Sequence, residues 1–269
     1  MKVWFITGAA GGFGALWAEA ALRRGDRVVA TARRAERLAP LAEEFGDAVL
    51  ALDLDVTDRR AVFGAVADAV GRFGRIDVVL NNAGYGQWGM VEELTEQDLR
   101  EQMDTNFFGA VWVTQAVLPV LRDQRAGHIV QVTSEGGIRA FPGIGAYHAS
   151  KWALEGLSES LAQEVGAFGI HVTCLEPGPY ETGFGGAVRS SEELPAYVPV
   201  RAADPSSFRL GDPIATIPAV FALVDAPRPP RRLVLGESVA PIIDIYEERI
   251  RTWREWEDVS VRAFGEPPQ

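Results

Sequence analysis

Short apolar runs alternate with amphipathic stretches from one end of this 269-residue chain to the other. The runs at Val3–Ile6, 27–31, 49–52, 77–80, 129–133, 171–175 and Arg232–Leu235 read as strands. Most are continuous rather than alternating, as expected where both faces of a parallel sheet are covered. Between them apolar residues recur at helical spacing. Val62, Phe63, Val66, Val70 and Phe73 do so within Arg59–Phe73, and Leu154, Leu157, Leu161 and Val165 do so further on. Asp212 followed by Pro213 offers an N-cap and a first-turn proline for a helix over 214–224. Long amphipathic helices are expected over 96–121 and 147–165. A last one over 238–259 carries Ile242, Ile245, Tyr246, Ile250, Trp253 and Trp256, placed to cover a pocket or pack on a partner subunit.

Strands alternating with helices imply βαβ units. The expected fold is α/β: a Rossmann-type doubly wound parallel sheet of about seven strands with helices on both faces. No linker divides the chain, so residues 1–269 read as one domain. The stretch 177–212 is rich in Gly, Pro and Ser and poor in pattern. It reads as an insertion, with residues 179–212 forming a substrate loop. Residues 227–230 read as a stiff turn and 265–269 as a frayed tail.

Composition narrows the function. Hydrophobic residues make up 47% of the chain, enough for a sizeable core, and 37 acidic against 26 basic residues give a formal net charge of −11. That argues against nucleic acid or an anionic membrane as the main partner. The single cysteine, Cys174, excludes an intrachain disulfide and lies in the apolar run HVTCL, where a buried, inert thiol is expected. A strand-like run begins at residue 2, so no signal peptide is expected, and no apolar stretch is long enough to span a bilayer. These features fit a cytoplasmic protein. No metal site is expected, and His128 and His148 read as structural neighbours.

The first strand runs into TGAAGGFG, residues 7–14, and then into a helical pattern. Gly8, Gly12, Phe13 and Gly14 would form a tight turn whose free N–H groups and helix dipole receive a pyrophosphate. The spacing is Gly-x-x-x-Gly-x-Gly rather than Gly-x-Gly-x-x-Gly. Dinucleotide folds often end the second strand with a carboxylate for the ribose 2′-hydroxyl. Here Ala32 stands at that place, followed by Arg33 and Arg34, with Glu36 nearby. A guanidinium binds a 2′-phosphate where a carboxylate repels it, which favours NADP(H) and leaves NAD(H) possible.

Tyr147 and Lys151 lie four residues apart on one helix face, and Ser134 ends the strand-like run before them. Taken with the glycine turn, this constellation resembles the short-chain dehydrogenase/reductase family over roughly residues 2–236. The resemblance rests on TGAAGGFG, Asp55 in LDVTD, NNAG at 81–84, Asn106 in MDTNFFG, Ser134, YHASK at 147–151 and PGPYET at 177–182. It implies Tyr147 as general acid or base, with Lys151 lowering its pKa from about 10 and binding the nicotinamide ribose. It implies Ser134 as the donor to the substrate oxygen, and a water relay on the carbonyl of Asn106. Asp55 and Val56 would lie against the adenine, Asn82, Ala83 and Gly84 behind the cofactor, and Pro177, Gly178 and Thr182 beside the nicotinamide. Asn81 would be structural. The resemblance also implies a homodimer or homotetramer built on the helices over 96–121 and 147–165.

Tyr85, Trp88, Phe141, Tyr180 and Phe184 are the expected pocket lining, suited to a small apolar carbonyl compound or alcohol. Glu135 is the departure from the family pattern, a carboxylate for a substrate hydroxyl or amine, or else a solvated or interface-facing side chain. Two other readings share the fold. A halohydrin dehalogenase would resemble this family with Arg for the lysine and a halide site for the glycine turn; Lys151 with Gly8, Gly12 and Gly14 argues against it. A non-catalytic dinucleotide sensor would not need Asn106, Ser134, Tyr147 and Lys151 together.

Overall fold

A computed structural model of the chain describes residues 1–184, 188–203 and 209–265. In chain order its elements are β1 (Val3–Ile6), α1 (Gly12–Arg23), β2 (Arg27–Ala32), α2 (Ala39–Phe45), β3 (Val49–Asp53), α3 (Arg59–Phe73) and β4 (Val78–Asn81). There follow β5 (Gln87–Trp88), α4 (Glu96–Met103), α5 (Gly109–Gln124), β6 (Gly127–Val132), α6 (Gly145–Val165), β7 (Ile170–Pro177) and β8 (Arg189–Ser190). The last are α7 (Val198–Ala202), α8 (Ile217–Asp225), β9 (Arg232–Leu235), α9 (Val239–Glu255) and α10 (Glu257–Phe264).

Seven strands form one parallel sheet in the order β3-β2-β1-β4-β6-β7-β9. All seven strand readings are present, with ends moved by at most two residues. Alternation across the pleat explains why the runs are continuous. Val3 and Phe5 of β1 point to one core, with residues of α3, α5 and α6; Trp4 and Ile6 point to the other, with Trp17 of α1 and Val220 and Leu223 of α8. The chain winds outward from β1 through β2 to β3, then returns to place β4 on the other side of β1. Ligand crevices in such sheets open at the carboxyl ends of the strands at this reversal.

Four departures from the sequence reading have physical causes. The helix expected over 96–121 is interrupted by a π-helical turn, Asp104–Phe108, between α4 and α5. Such turns insert a residue into the helix and re-aim its side chains. The helix over 214–224 opens as a 3₁₀ turn, Pro213–Thr216, capped by Asp212, whose Oδ1 accepts the Ile214 N–H at 2.9 Å. Pro218 has no N–H to continue the α-helical ladder, so α8 begins at Ile217. The helix over 238–259 divides at Trp256 into α9 and α10, and α9 lies against α6 with Arg249 over the Trp152 ring, 5.0 Å from its centre.

The insertion is the fourth. It carries regular structure: β8 pairs in parallel with β5, and α7 follows. A two-residue strand has no period for a sequence to display. Residues 185–187 and 204–208 of the expected substrate loop, and 266–269 of the expected tail, lie outside the described residues. Among the described residues no helix is long and apolar enough to cross a membrane, and no group of three His, Cys, Asp or Glu is placed to hold a metal ion.

Candidate active site

The glycine turn leaves β1 through Thr7, a buried residue whose Oγ1 accepts the N–H groups of Asn82 and Ala83, each at 2.9 Å. Asn82 returns the contact: its Nδ2 donates to the carbonyls of Thr7 at 2.9 Å and Gly8 at 3.3 Å. Gly8 and Gly12 have φ of +68° and +54°, where a Cβ is strained. At Gly14 a Cβ would lie 2.4 Å from the Gly8 carbonyl oxygen and 2.5 Å from Asn82 Nδ2, so only glycine lets α1 start this close to the turn. Gly11, the extended N-cap of α1, offers no side-chain cap. The first N–H groups of the helix are therefore left for an anion, as the pyrophosphate of a dinucleotide requires. Thr182 comes down over the turn, 3.6 Å from a Cβ at Gly12.

Ala32 ends β2 as a buried residue, and Arg33 and Arg34 are exposed beyond it. Among the described residues neither arginine has an ion-pair partner. Asp53, opposite Ala32 on β3, accepts the Ala35 N–H at 2.5 Å. Asp55 is exposed and accepts both the N–H and the hydroxyl of Thr57. Val56 is buried against Gly109 of α5.

Ser134, Tyr147, Lys151 and Asn106 converge at the carboxyl end of β6. Ser134 Oγ accepts the Gly136 N–H at 3.0 Å and donates weakly to the Pro177 carbonyl at 3.4 Å. It also hydrogen-bonds the half-buried phenol of Tyr147. Lys151 is buried and donates to the Val132 carbonyl at 2.8 Å. Asn106 sits in the π-helical turn with both amide atoms committed. Its Oδ1 accepts the Tyr85 N–H at 3.1 Å, and its Nδ2 donates to the Tyr85 carbonyl at 2.9 Å and to Ser150 Oγ at 3.2 Å. Ser150 Oγ donates in turn to the Tyr147 carbonyl at 2.7 Å. Gly84 closes the group: a Cβ there would lie 3.1 Å from Asn106 Oδ1 and 3.7 Å from Lys151 Nζ.

Burial pushes the Tyr147 phenol up to about 12, the Ser134 hydrogen bond pulls it back in part, and the Glu135 charge adds to the rise. Burial also lowers the Lys151 ammonium to about 8, against the pull of the Glu155 charge. The expectation that Lys151 depresses the phenol's pKa is therefore corrected: burial, Ser134 and Glu135 set it, and Lys151 does not. The Lys151 nitrogen lies 5.7 Å from the centre of the Tyr147 ring and spends its hydrogen bond on the main chain.

The expected pocket residues separate. Phe184 packs edge-on against Tyr147 at 5.8 Å. Trp88 lines a cavity of about 290 Å³ with Gly89, Met90, Pro142, Gly143, Ser190, Ser191, Glu193, Val200 and Arg201. That wall is amphipathic rather than wholly uncharged. Tyr85 lies under the Arg189 guanidinium, 4.5 Å from it, and its buried hydroxyl has no hydrogen-bond partner. Tyr180 packs edge-on against Phe13, which stacks on Trp17, so both rings belong to an aromatic cluster behind the glycine turn. Phe141 lies against His148, with Arg139 over its ring. Glu135 is neither solvated nor an open carboxylate: it is buried in an ion pair with Arg139 at 2.6 Å.

Some contributors leave no sequence signal. His148 Nδ1 donates to the Gly136 carbonyl at 2.7 Å while Nε2 accepts the Phe141 N–H at 2.8 Å, which pins the loop after Ser134 with a neutral ring. Burial lowers its pKa, in keeping with that tautomer. Ser150 and Arg37 belong with it. Arg37 Nη2 donates to the Ala10 carbonyl at 3.3 Å and so reaches back to the glycine turn. Cys174 is buried, with its pKa raised by burial. His128 is buried against Thr173, its pKa lowered to about 3.

Known proteins match this chain along its length. The family model of the short chain dehydrogenases matches residues 2–193. Oxidoreductase BOA17 of Botryotinia fuckeliana is 42% identical over 268 residues, covering 94% of this chain and 97% of that one. A short-chain dehydrogenase from Streptomyces avermitilis superposes with a TM-score of 0.90 at 42% identity, over 97% of this chain and 98% of the other. An alcohol dehydrogenase from the archaeon Thermococcus sibiricus, complexed with 5-hydroxy-NADP, superposes with a TM-score of 0.75 at 29% identity, over 87% and 96%. A 3-ketoacyl-(acyl-carrier-protein) reductase from Brucella melitensis, complexed with NADH, gives 0.76 at 28%, over 87% and 96%. With the glycine turn of β1 and the Ser134, Tyr147 and Lys151 cluster on one crevice, these likenesses make the chain a member of the short-chain dehydrogenase/reductase family, NAD(P)-dependent oxidoreductases.

Proposed function

We propose that the protein interconverts a ketone or aldehyde and the corresponding alcohol, with NADP(H) preferred over NAD(H). The observation that carries this reading is the neutral Tyr147 phenol, hydrogen-bonded to Ser134 at the strand ends beside the glycine turn. A phenol held protonated is a general acid at neutral pH, ready to give its proton to a carbonyl oxygen. Ser134 Oγ would hold that same oxygen by a hydrogen bond. Lys151, with its ammonium beside Asn106 and Gly84, would bind ribose hydroxyls and resupply the proton through the Asn106 turn. In the oxidative direction the same groups run in reverse, Tyr147 taking the alcohol proton.

The chain fits a dinucleotide by its own geometry, since the Gly14 cradle and the uncapped start of α1 leave room and N–H donors for a pyrophosphate. Gly8, Gly12, Phe13 and Gly14 would hold it, with Asp55, Val56, Asn82, Ala83, Gly84, Lys151, Pro177, Gly178 and Thr182. The cofactor supplies or accepts the hydride. Arg33 and Arg34, exposed beyond buried Ala32 and without an ion-pair partner among the described residues, support the preference for a 2′-phosphate. The amphipathic cavity beside Trp88 supports a small substrate with an apolar body and a polar end. A lone buried thiol and an acidic surface suit a cytoplasmic setting.

The test is a screen of NADPH and NADH consumption over ketones, aldehydes and quinones, with NADP⁺ and secondary alcohols in reverse. Turnover of at least one carbonyl compound, faster with NADPH, is expected. A protein that binds NADPH yet reduces no carbonyl and oxidises no alcohol in the panel would overturn the reading.

A further inference from the structure

A buried ring stands next to Tyr147 in the chain, and the proposed chemistry gives it no part. His148 is 5% exposed, and both of its ring nitrogens are bonded. Nδ1 meets the Gly136 carbonyl at 2.7 Å, and Nε2 meets the Phe141 N–H at 2.8 Å. A carbonyl only accepts and an amide N–H only donates, so the proton sits on Nδ1 and the ring is neutral. The two partners are the two ends of one loop, residues 136–141. A single side chain of α6 thus holds that loop at both ends.

Each end leads to a different part of the site. Gly136 is fixed on both sides: its N–H donates to Ser134 Oγ at 3.0 Å, and its carbonyl is held by His148. A Cβ at Gly136 would lie 2.8 Å from His148 Nδ1 and 3.3 Å from Tyr147 Cε1, so a side chain there would push the ring off the turn. The Gly136 bond fills one acceptor position of the Ser134 hydroxyl and directs its proton away from the turn. At the other end, Phe141 leads into Pro142 and Gly143, which line the cavity beside Trp88. The Gly143 carbonyl accepts the Gly89 N–H at 2.8 Å, tying this wall to the end of β5. The Glu135–Arg139 pair braces the loop from within and reaches Ser238, but leaves the Gly136 carbonyl and the Phe141 N–H to His148.

We infer that His148 is a positioning residue with two separable actions. Through Gly136 it orients the Ser134 hydroxyl towards the reacting oxygen. Through Phe141 it holds Pro142 and Gly143 as the wall on which the body of the substrate rests. It does both without touching substrate, cofactor or the reacting atoms. The kinetic consequence rests on the reaction proposed above, in which Ser134 and the cavity have these roles.

Substitution separates the two actions. An asparagine amide reaches to about the place of Nδ1, and a glutamine amide to about that of Nε2. His148→Asn therefore keeps a donor for the Gly136 carbonyl and loses the acceptor for Phe141; His148→Gln does the reverse. With a carbonyl substrate and NADPH, His148→Asn should raise KM about threefold to tenfold and leave most of kcat, the span that losing one hydrogen bond gives. His148→Gln should lower kcat by a like factor and leave KM near that of the parent. In a Ser134→Ala background, His148→Gln should cost nothing further in kcat, because the hydroxyl it acts on is gone. The same loss in both variants, or full additivity with Ser134→Ala, overturns the inference, since a ring that only stabilises the fold would not split kcat from KM.

The ring is also read without turnover. The chain has three histidines, so protein labelled with nitrogen-15 histidine shows three rings in the NMR spectrum, and His128→Gln and His171→Gln assign His148 by elimination. A single tautomer protonated on Nδ1 is expected at neutral pH, and Ser134→Ala should shift its Nδ1 signal through Gly136. A ring that averages both tautomers, or an Nδ1 signal that ignores Ser134→Ala, overturns the inference even where no His148 variant folds. A parent protein that turns over no carbonyl compound overturns the proposed reaction instead, so the two failures are distinct.

Discussion

Lys151 gives its hydrogen bond to the carbonyl of Val132 at 2.8 Å rather than to the phenol of Tyr147, whose ring centre lies 5.7 Å from its ammonium. The pair is arranged so that the tyrosine stays neutral and the lysine is fixed beside the cofactor crevice. Tyr147→Phe removes the one transferable proton and keeps the ring packed against Phe184. NADPH should bind as before while turnover falls about 10²–10⁴-fold, the ordinary contribution of a general acid. Binding is read by quenching of NADPH fluorescence and turnover by its consumption. Turnover within threefold or so of the parent would remove Tyr147 from the mechanism.

Why this relationship escaped the sequence is instructive. The i, i+4 spacing of Tyr147 and Lys151 announced that they share a helix face, and the strand readings placed Ser134 at the same end of the sheet. Spacing says nothing about which carbonyl a long, flexible side chain chooses. The same limit hid the Glu135–Arg139 pair and the bonds of His148, which are tertiary facts made by a loop folding back. What the sequence carried well was periodic: continuous strands, the helical face of α3, and the glycine turn between β1 and α1. The π-helical turn at Asn106 and the two-residue strands β5 and β8 had no period to carry.

Gly14→Ala tests the cradle. Its Cβ would lie 2.4 Å from the Gly8 carbonyl oxygen and 2.5 Å from Asn82 Nδ2, and the first of these is backbone that cannot turn aside. The turn must open, and it is the turn that presents N–H groups to a pyrophosphate. Affinity for both NADPH and NADH should fall at least tenfold, measured by titration calorimetry. Gly71→Ala on the exposed side of α3, where nothing lies within 4 Å of a Cβ, is the control and should bind as the parent does.

Glu176 gives a pH dependence of stability. Burial and the Glu155 charge raise its pKa from 4.5 to about 7, with Arg232 pulling the other way. A carboxyl whose folded pKa lies above its unfolded value binds its proton more tightly when folded. Its contribution is therefore fully present below about pH 4.5 and is lost as pH rises through about 7. The melting temperature should decline across that window. Glu176→Gln, neutral at every pH, should flatten the decline. A decline of equal size in Glu176→Gln would assign it to other groups.

Assembly is the next expectation. Helix α6 is 21 residues long and leaves Trp152 39% exposed, covered in part by Arg249 of α9. Helix α5 leaves Phe108 38% exposed just before its start. Large exposed rings on adjoining helices suit a closed interface with a second copy. Light scattering at micromolar concentration should give a dimer or tetramer, and Trp152→Glu should shift it towards smaller species. A monomeric parent protein would sink the proposal.

Cofactor choice should follow from charge at the end of β2. Buried Ala32 offers no carboxylate against a 2′-phosphate, while Arg33 is exposed and free to meet one. A charge-assisted hydrogen bond contributes about 1.5–3 kcal/mol net, which is roughly ten- to a hundredfold in affinity. Arg33→Ala should raise the apparent constant for NADPH by that factor and leave NADH nearly unchanged, because NADH has no phosphate there. Ala32→Asp added to it should turn the preference towards NADH, since the new carboxylate repels the phosphate and accepts ribose hydroxyls. Arg37, already bonded to the Ala10 carbonyl, could take over part of the phosphate, so Arg37→Ala belongs in the series. The measurement is kcat/KM with both cofactors in each variant. If the parent already prefers NADH, or Arg33→Ala weakens both cofactors alike, then Arg33 reads no phosphate and its guanidinium serves the surface alone.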